Sequence, residues 1–262
     1  MNRVAAVDLG TNSTRLLVAD VDDGKVIDVA RETRITRLGE GVDERRRLLP
    51  VPVARVRNVL SDFRRTAGAL GAKRTLAIAT SAVRDAENGE AFLGEVEWSY
   101  GFVTRLLSGH DEAMLMFRGV TSERKLEGGT MIVDIGGGST ELVAGGPDGV
   151  RWHTSLDIGS VRITERFLAS DPPTAAELNA AATAVRALLA ERVPDEIGSD
   201  MRSAIGVAGT ITSLAGLALD LDEYDRDRIH GFHLSAEALS AQLERLASVA
   251  VAERRTLPPL EP

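Results

Sequence analysis

The stretch "VDIGGGSTELV", residues 133–143, places three consecutive glycines directly after an apolar run and follows them with Ser, Thr and Glu. Glycine has no Cβ and tolerates positive φ, so successive backbone N–H groups can point at an anion that approaches closely. Phosphate is the usual anion in such turns. Two acids, Asp134 and Glu141, stand on either side of the glycines. The stretch therefore predicts a phosphate-binding hairpin turn.

An internal repeat strengthens this prediction. "DLGTNSTRLLV" at 8–18 aligns with "DIGGGSTELVA" at 134–144 on Asp, Gly, Ser-Thr and a Leu, with two further apolar residues after it. Asp8 and Asp134 would repel bare phosphate, but they can hold a Mg²⁺ that bridges to it. A third turn, "GVAGTITSL" at 206–214, ends an apolar strand and opens a helix, where negative charge is favoured. The three turns together outline a cleft.

Rival interpretations of the glycines fail on spacing. No G-x-x-x-x-G-K-[ST] string occurs, which excludes a P-loop. Gly136, Gly138 and Glu141 break the G-x-G-x-x-G dinucleotide pattern, and a strand follows instead of a helix. A plain tight hairpin would explain one copy as well as a phosphate turn does. Two matched copies, each with an acid, disfavour it.

The order of elements predicts two similar α/β domains. Three extended segments open the chain and three more follow residue 127, each set joined by short turns that indicate antiparallel hairpins. The first half then reads as helix 52–70, strand 74–81, helix 91–101, strand 102–108 and a helix entered just after Gly109. The second half continues with helices 160–169 and 174–192, strand 202–209, and helices 210–219 and 235–250. We expect domains at 1–124 and 125–262 that face each other across a central cleft.

Composition narrows the class of protein. The chain has 262 residues, 44% of them hydrophobic, which is enough for two packed cores. It has no cysteine, so disulfides, thiolate metal sites and cysteine nucleophiles are excluded. A net charge of −8 argues against a broad nucleic-acid-binding surface. No apolar run of membrane-spanning length occurs, so we expect no membrane contact and a cytoplasmic location.

The motifs resemble those of known proteins. "DLGTNST" and "DIGGGSTE", with "GVAGT", are similar to the phosphate loops of the actin, hexokinase and Hsp70 superfamily. That resemblance implies two ribonuclease H-like, actin-like ATPase domains, each a mixed sheet with helices on its faces. Four motifs, in order, more narrowly resemble the short form of the exopolyphosphatase and guanosine pentaphosphate phosphohydrolase family. They are "ATSAVRDAEN" (79–88), "LSGHDEAMLMFRGV" (107–120), "VDIGGGSTELV" and "YDRDRIHGFHLS" (224–235).

This family resemblance implies a reaction and its residues. Members hydrolyse the terminal phosphoryl group of inorganic polyphosphate, and some act on guanosine pentaphosphate, with a divalent cation. Glu112 matches the catalytic base, preceded by Asp111 where the family has Glu. Arg84 matches a phosphate-contacting arginine, which we place in a loop after strand 74–81. Mg²⁺ or Mn²⁺ is expected near Asp8, Asp134 and Glu141. The phosphate-binding positions are expected at Gly10, Thr11, Asn12, Ser13, Gly136, Gly137, Gly138, Ser139, Gly209 and Thr210.

Several alternatives remain open. A kinase or ATPase of the same superfamily would need an adenine pocket and a second substrate site, for which no motif occurs. A binding protein that senses polyphosphate or guanosine alarmones without hydrolysing them is a rival from another class. "RRR" at 45–47 can clasp a polyanion, although a solvated surface run is the favoured interpretation. His230 and His233 are three apart but lack a third ligand, which favours surface or cap roles.

The carboxyl terminus departs from the family pattern. The chain ends "RRTLPPLEP", where the family continues with a further strand and helix. We therefore expect reduced stability or a compensating homodimer, because a missing strand exposes a sheet edge. The helical extension of long family members is also absent, so we expect a preference for short or medium polyphosphate.

Overall fold

The computed structural model describes residues 2–23, 25–258 and 260. The chain forms two compact units, Met1–Glu112 and Ala113–Pro262. The division falls within a helix, Gly109–Glu123, whereas the sequence prediction put the boundary just after it, between residues 124 and 125. Among the described residues, no helix is both long enough and apolar enough to cross a membrane.

The first unit is built on a five-stranded mixed sheet. β1 pairs antiparallel with β2 and β2 with β3, while β1 and β4, and then β4 and β5, run parallel. The order across the sheet is β3-β2-β1-β4-β5. The short turns after β1 and β2 permit only hairpins, as expected. The strands are β1 (Asn2–Leu9), β2 (Ser13–Asp22), β3 (Lys25–Ile35), β4 (Thr75–Ala79) and β5 (Val103–Leu106).

The helices of this unit cover the apolar side chains of the sheet. They are α1 (Val42–Arg45), α2 (Pro50–Ala69), α3 (Ser81–Arg84), α4 (Gly89–Tyr100) and α5 (Gly109–Glu123), the last continuing into the second unit. On α2, Val56, Leu60 and Phe63 recur at helical spacing and are at most 1% exposed, in one core with Val7 and Leu9 of β1. Burying each such side chain contributes about 1.5–3 kcal/mol.

The second unit repeats the topology of the first. Its sheet has the order β8-β7-β6-β9, which matches β3-β2-β1-β4 strand for strand, with the same directions. The strands are β6 (Thr130–Ile135), β7 (Thr140–Gly146), β8 (Gly149–Leu156) and β9 (Ser203–Val207). The helices are α6 (Ser160–Phe167), α7 (Ala175–Arg192), α8 (Asp195–Asp200), α9 (Ala208–Ala218), α10 (Arg226–Ile229), α11 (Ala236–Ala247) and α12 (Val251–Arg254).

One predicted site residue sits on a different element from the one expected. Arg84 ends the one-turn helix α3, and the prediction of a loop there was wrong. The backbone N–H groups of Val83 and Arg84 both donate to Thr80 O, at 3.1 and 3.0 Å, which closes the turn. Four residues are too few to show a 3.6-residue period, so hydrophobic spacing gives no signal for such a helix.

Candidate active site

The two glycine turns have the same backbone hydrogen bond. Gly10 N donates to Ser13 O at 3.0 Å, and Gly136 N donates to Ser139 O at 3.0 Å. A Cβ added to Gly10 would lie 2.8 Å from Ser13 O, and one added to Gly136 would lie 3.2 Å from Ser139 O. The close backbone approach therefore requires glycine at position 10, and a Cβ at position 136 would be a tight contact. The alignment of the two copies holds in three dimensions.

Two carbonyl groups of the first turn face one neighbouring segment. Thr11 O accepts from Gly39 N at 2.8 Å, and Asn12 O accepts from Arg37 N at 2.9 Å. In a trans peptide the C=O of one residue and the N–H of the next point in opposite directions. The N–H groups of Asn12 and Ser13 therefore point away from residues 36–39, on the side where an anion would be bound.

The carbonyl groups of the second turn are held in the same way, by hydrogen bonds from the start of α6. Each carbonyl of residues 136–138 accepts a hydrogen bond from that helix. The bonds are Ser160 N to Gly136 O at 2.9 Å, Val161 N to Gly137 O at 2.9 Å, and Arg162 Nε to Gly138 O at 2.8 Å. The N–H groups of residues 137–139 therefore all point away from α6. Three successive donors on one side form a nest for phosphate oxygens.

Two residues that hold the second turn were not identified from sequence. Gly159 packs so closely that an added Cβ would lie 2.5 Å from Gly137 O. Arg162 is only 7% exposed, although it lies in the first turn of a helix, where acids are preferred. An arginine at that unfavourable position is the signal that could have found it. A buried cation under the turn also raises the local positive potential.

The acids beside the turns lie on neighbouring strands. Asp134 of β6 is directly opposite Glu141 of β7, while Asp8 of β1 is opposite Arg15 of β2. Glu141 is 4% exposed and its Oε1 accepts from Ser155 Oγ at 2.7 Å. Ser155 was not identified from sequence.

The acids of the second turn are compatible with a metal. Within residues 2–23, 25–258 and 260, no group of three or more acids or histidines is arranged as a complete metal site. Mg²⁺ usually takes only one or two protein carboxylates and fills its remaining positions with water and substrate phosphate. The facing carboxyl groups of Asp134 and Glu141 fit that requirement. The assignment of Asp8, Asp134 and Glu141 to a metal stays a prediction.

The third glycine turn lies inside a helix. α9 begins at Ala208, so Gly209 and Thr210 belong to its first turn, whereas the helix was expected from residue 210. Thr210 Oγ1 donates to Ile135 O at 2.9 Å, which ties α9 to the end of β6. No side chain caps the start of α9. The backbone N–H groups of this turn, rather than the Thr210 hydroxyl, are therefore its candidate phosphate donors.

Arg84 and Glu112 form an ion pair in the first unit. Arg84 Nη1 donates to Leu107 O at 2.8 Å and to Glu112 Oε1, and the two side chains are 26% and 13% exposed. Nε and Nη2 of Arg84 make no hydrogen bond with the described residues. Arg3 and Arg57 use that same fork to hold a carboxylate with two bonds. Arg84 can therefore hold Glu112 and a phosphate at the same time.

Asp111 has a different task from Glu112. Its Oδ2 accepts from Ser108 N at 3.2 Å and from Ser108 Oγ at 2.5 Å, and its N–H donates to Ser108 Oγ at 3.1 Å. This reciprocal pattern caps the start of α5. The hydrogen bonds from Ser108 hold the pKa of Asp111 below its usual value. The shorter acid at position 111 is therefore explained by helix capping, and Glu112 is the acid that reaches Arg84.

A buried hydroxyl pair connects the first turn to Arg84. The Thr11 and Ser81 hydroxyl oxygens are 2.9 Å apart, and these residues are 7% and 2% exposed. Ser81 is the first residue of α3, and Arg84 is the last. Thr11 was expected among the phosphate-binding positions, and its hydroxyl fixes the turn relative to the helix that carries Arg84. Ser81 was not identified from sequence.

Comparison with known proteins identifies a family that matches most of the chain. The model of the Ppx/GppA phosphatase family matches residues 17–262. The chain is 40% identical to exopolyphosphatase 2 of Mycobacterium tuberculosis (strain ATCC 25618 / H37Rv), over 100% of this chain and 85% of that protein. It is 32% identical to a guanosine-5'-triphosphate,3'-diphosphate pyrophosphatase of Vibrio atlanticus (strain LGP32), over 82% of this chain and 43% of that protein. The solved Ppx/GppA family member of Aquifex aeolicus superposes with a TM-score of 0.79 at 32% identity, covering 99% and 84% of the two chains.

Proposed function

This chain belongs to the Ppx/GppA phosphatase family, and from that membership we propose that it is an exopolyphosphatase that releases terminal orthophosphate from inorganic polyphosphate. The observation that carries the proposal is the arrangement of Arg84, whose Nη1 holds Glu112 while its Nε and Nη2 fork has no described partner. A hydrolase of this kind must hold a phosphate and a water-activating base side by side. One guanidinium can meet both requirements.

The reaction follows from these groups. The outward N–H groups of residues 12–13 and the Arg84 fork bind oxygens of the terminal phosphate and offset charge as the bond breaks. The Glu112 carboxylate accepts a proton from a water molecule whose oxygen bonds to the terminal phosphorus. The bridging P–O bond then breaks, and its electron pair leaves on the shortened polyphosphate chain. General base catalysis of this kind contributes about 10²–10⁴ in rate.

The proposal includes a divalent cation, Mg²⁺ or Mn²⁺, with Asp134 and Glu141 as its protein ligands. A bound cation would supply charge neutralisation on the phosphate oxygens. The Ser155 hydroxyl, 2.7 Å from Glu141 Oε1, orients that carboxylate. The nest of N–H groups at residues 137–139 would bind phosphate oxygens within the second unit.

A second candidate substrate is guanosine pentaphosphate. What favours it is the 32% identity to the Vibrio atlanticus pyrophosphatase, which spans 82% of this chain. The terminal phosphoanhydride is chemically the same in both substrates, so Arg84 and Glu112 would act in the same way on either. A binding protein without turnover is disfavoured because Glu112, Asp134 and Glu141 are all present.

We also propose that the chain forms a homodimer. β3 is an edge strand of the first sheet, and its Val26 and Ile27 are 59% and 50% exposed. Exposed apolar side chains on an edge strand favour pairing with another chain. Size-exclusion chromatography with light scattering should give twice the mass of one chain, and a stable monomer would count against this assembly.

The test of the function is orthophosphate release measured on polyphosphate and on guanosine pentaphosphate, with and without Mg²⁺. We expect release from polyphosphate that depends on Mg²⁺. Faster release from guanosine pentaphosphate would favour the second substrate. Binding of polyphosphate without release from either compound would support the sensor and contradict the enzyme.

A further inference from the structure

Four arginines of the first unit are exposed and lack partners within the described part of the chain. Arg37, Arg45, Arg46 and Arg47 are all exposed, and none of their guanidinium groups has a hydrogen bond or ion pair with another described residue. Other arginines of the unit do have such partners, as Arg3, Arg55, Arg57 and Arg65 do with carboxylates. The four lie in one short segment, residues 36–48, which we call the basic segment.

The basic segment is attached at one end to the first glycine turn. Arg37 N donates to Asn12 O at 2.9 Å and Gly39 N donates to Thr11 O at 2.8 Å. These bonds hold the Thr11 and Asn12 carbonyl groups toward the segment, so the N–H groups of residues 12–13 point away from it. Arg37 is therefore one hydrogen bond away from the proposed phosphate turn.

At its other end the basic segment is attached to the residues that follow Arg84. Arg46 O accepts from Glu87 N at 2.8 Å. The Asn88 side chain holds both backbone groups of Leu48, accepting from its N–H at 2.8 Å and donating to its C=O at 3.0 Å. Leu48 is 4% exposed, which anchors the segment in the core. The four arginines therefore border the turn and the Arg84 region within a single unit.

The charges of the basic segment favour an anion from outside the protein. Its acids are Glu40, which is bound to Arg55 at 2.6 Å, and Asp43 and Glu44 in the first turn of α1. Three successive arginines repel each other unless an anion lies near them. The chain as a whole has a net charge of −8, so the positive charge of the basic segment is opposite in sign to the net charge.

We propose that Arg37, Arg45, Arg46 and Arg47 form an accessory subsite for linear inorganic polyphosphate, binding phosphates beyond the terminal group. The inference rests on the proposed exopolyphosphatase function. The attachment of the basic segment to both the glycine turn and the Arg84 region distinguishes it from an ordinary solvated run. Only substrates longer than tripolyphosphate reach the subsite, so it raises the affinity for longer chains without taking part in bond cleavage.

The test compares two substrates in one triple variant, Arg45→Gln, Arg46→Gln and Arg47→Gln. The KM for polyphosphate of tens of phosphates should rise about tenfold, since each exposed ionic contact contributes modestly. The KM for tripolyphosphate and the kcat for both substrates should stay within about twofold. The dependence of KM on salt for the long substrate should also become less steep, because fewer phosphate contacts release counterions.

The control removes the same number of charges elsewhere on the unit. Arg31→Gln, Arg57→Gln and Arg65→Gln together should leave both KM values nearly unchanged, since these arginines are paired with acids. Equal changes in KM for the two substrates in the first variant, or no change in either KM, would overturn the proposed subsite. Either result would leave the proposed function intact. A wild-type protein that hydrolyses neither substrate would instead overturn the proposed function, and the subsite with it.

Discussion

Arg84 is the residue on which the proposed chemistry depends most visibly. Lysine keeps the charge at position 84, but its single ammonium cannot hold Glu112 and grip two phosphate oxygens together. We expect Arg84→Lys to lower kcat for orthophosphate release by about 10²-fold or more. Arg64→Lys is the matched control, because Arg64 on α2 donates, among the residues that the structure describes, only to Ser99 O at 3.1 Å. A kcat for Arg84→Lys within a few-fold of wild type would contradict the shared role.

A second prediction for a single residue concerns the hydroxyl of Thr11. Thr11→Ser keeps a hydroxyl for Ser81, whereas Thr11→Val keeps the shape and leaves the buried Ser81 hydroxyl without this partner. Losing such a bond costs about 1–3 kcal/mol. We expect Thr11→Val to lower kcat several-fold at temperatures where it is fully folded, and Thr11→Ser to restore it. Equal activity of the two folded variants would show that the pair serves stability alone.

Single-residue roles were the least predictable from sequence. The glycines and flanking acids are visible because two copies align, and Glu112 and Arg84 stand out only through the family motifs. Ser81, Ser155 and Arg162 act through contacts with residues 14 or more positions away along the chain. Serine and arginine are too common for their type alone to indicate such contacts. The fold has to be known before the roles of the two serines become visible.

At the scale of elements, the contact between the second glycine turn and α6 is sensitive to an added side-chain atom at position 159. A methyl group at position 159 would lie 2.5 Å from Gly137 O, a backbone atom that cannot rotate away. We expect Gly159→Ala to destabilise the protein by about 2–4 kcal/mol and to weaken polyphosphate binding. Urea unfolding and a polyphosphate binding titration measure the two effects.

The control for that change is another glycine in a helical setting. Gly119 lies within α5, where an added Cβ meets nothing within 4 Å, so Gly119→Ala should be neutral or stabilising by about 0.5–1 kcal/mol. If both variants had the same unfolding free energy, the packing of the turn against α6 would not be tight.

The start of α7 carries a carboxyl group whose ionisation should determine part of the unfolding free energy at low pH. Glu177 accepts hydrogen bonds from the Thr174 backbone and hydroxyl and from Ser170 N, which lower its pKa from 4.5 to about 2. Because the folded-state pKa is depressed, this stabilisation is present above about pH 4.5 and is lost as the pH falls toward 2. The unfolding free energy of Glu177→Gln should therefore decrease less than that of the wild type between about pH 5 and pH 2. The unfolding free energies of the variant and the wild type are measured by urea unfolding across this pH range. An equal fall in both proteins would contradict the prediction.

Elements of ten residues or more were largely predictable, and one-turn elements were not. The alternation of apolar residues and the short turns predicted the β1–β3 meander, and apolar spacing predicted α2 to within two residues of its start. By contrast, α1, α3, α10 and α12 have four residues each. Such helices are stabilised by neighbouring segments, as α3 is by the Thr11–Ser81 contact, and not by a periodic pattern.

At the scale of the whole molecule, duplication is the organising feature. The two sheets share a strand order, and their hairpin turns share one hydrogen bond, so the repeat at 8–18 and 134–144 correctly predicted two related units. The copies differ at the position after Ser-Thr, which is Arg15 in one and Glu141 in the other. That difference puts the facing pair of acids in the second unit and gives it the proposed metal site.

The central claim is that Glu112 activates water against a phosphate held by Arg84 and the first glycine turn, and the Glu112→Gln variant tests it most directly. Orthophosphate release should fall by about 10²-fold or more, because the amide cannot accept the proton. Polyphosphate should still raise the melting temperature of the variant, since the phosphate-binding groups are intact. Release at a near wild-type rate, or loss of polyphosphate binding with the fold intact, would contradict the account.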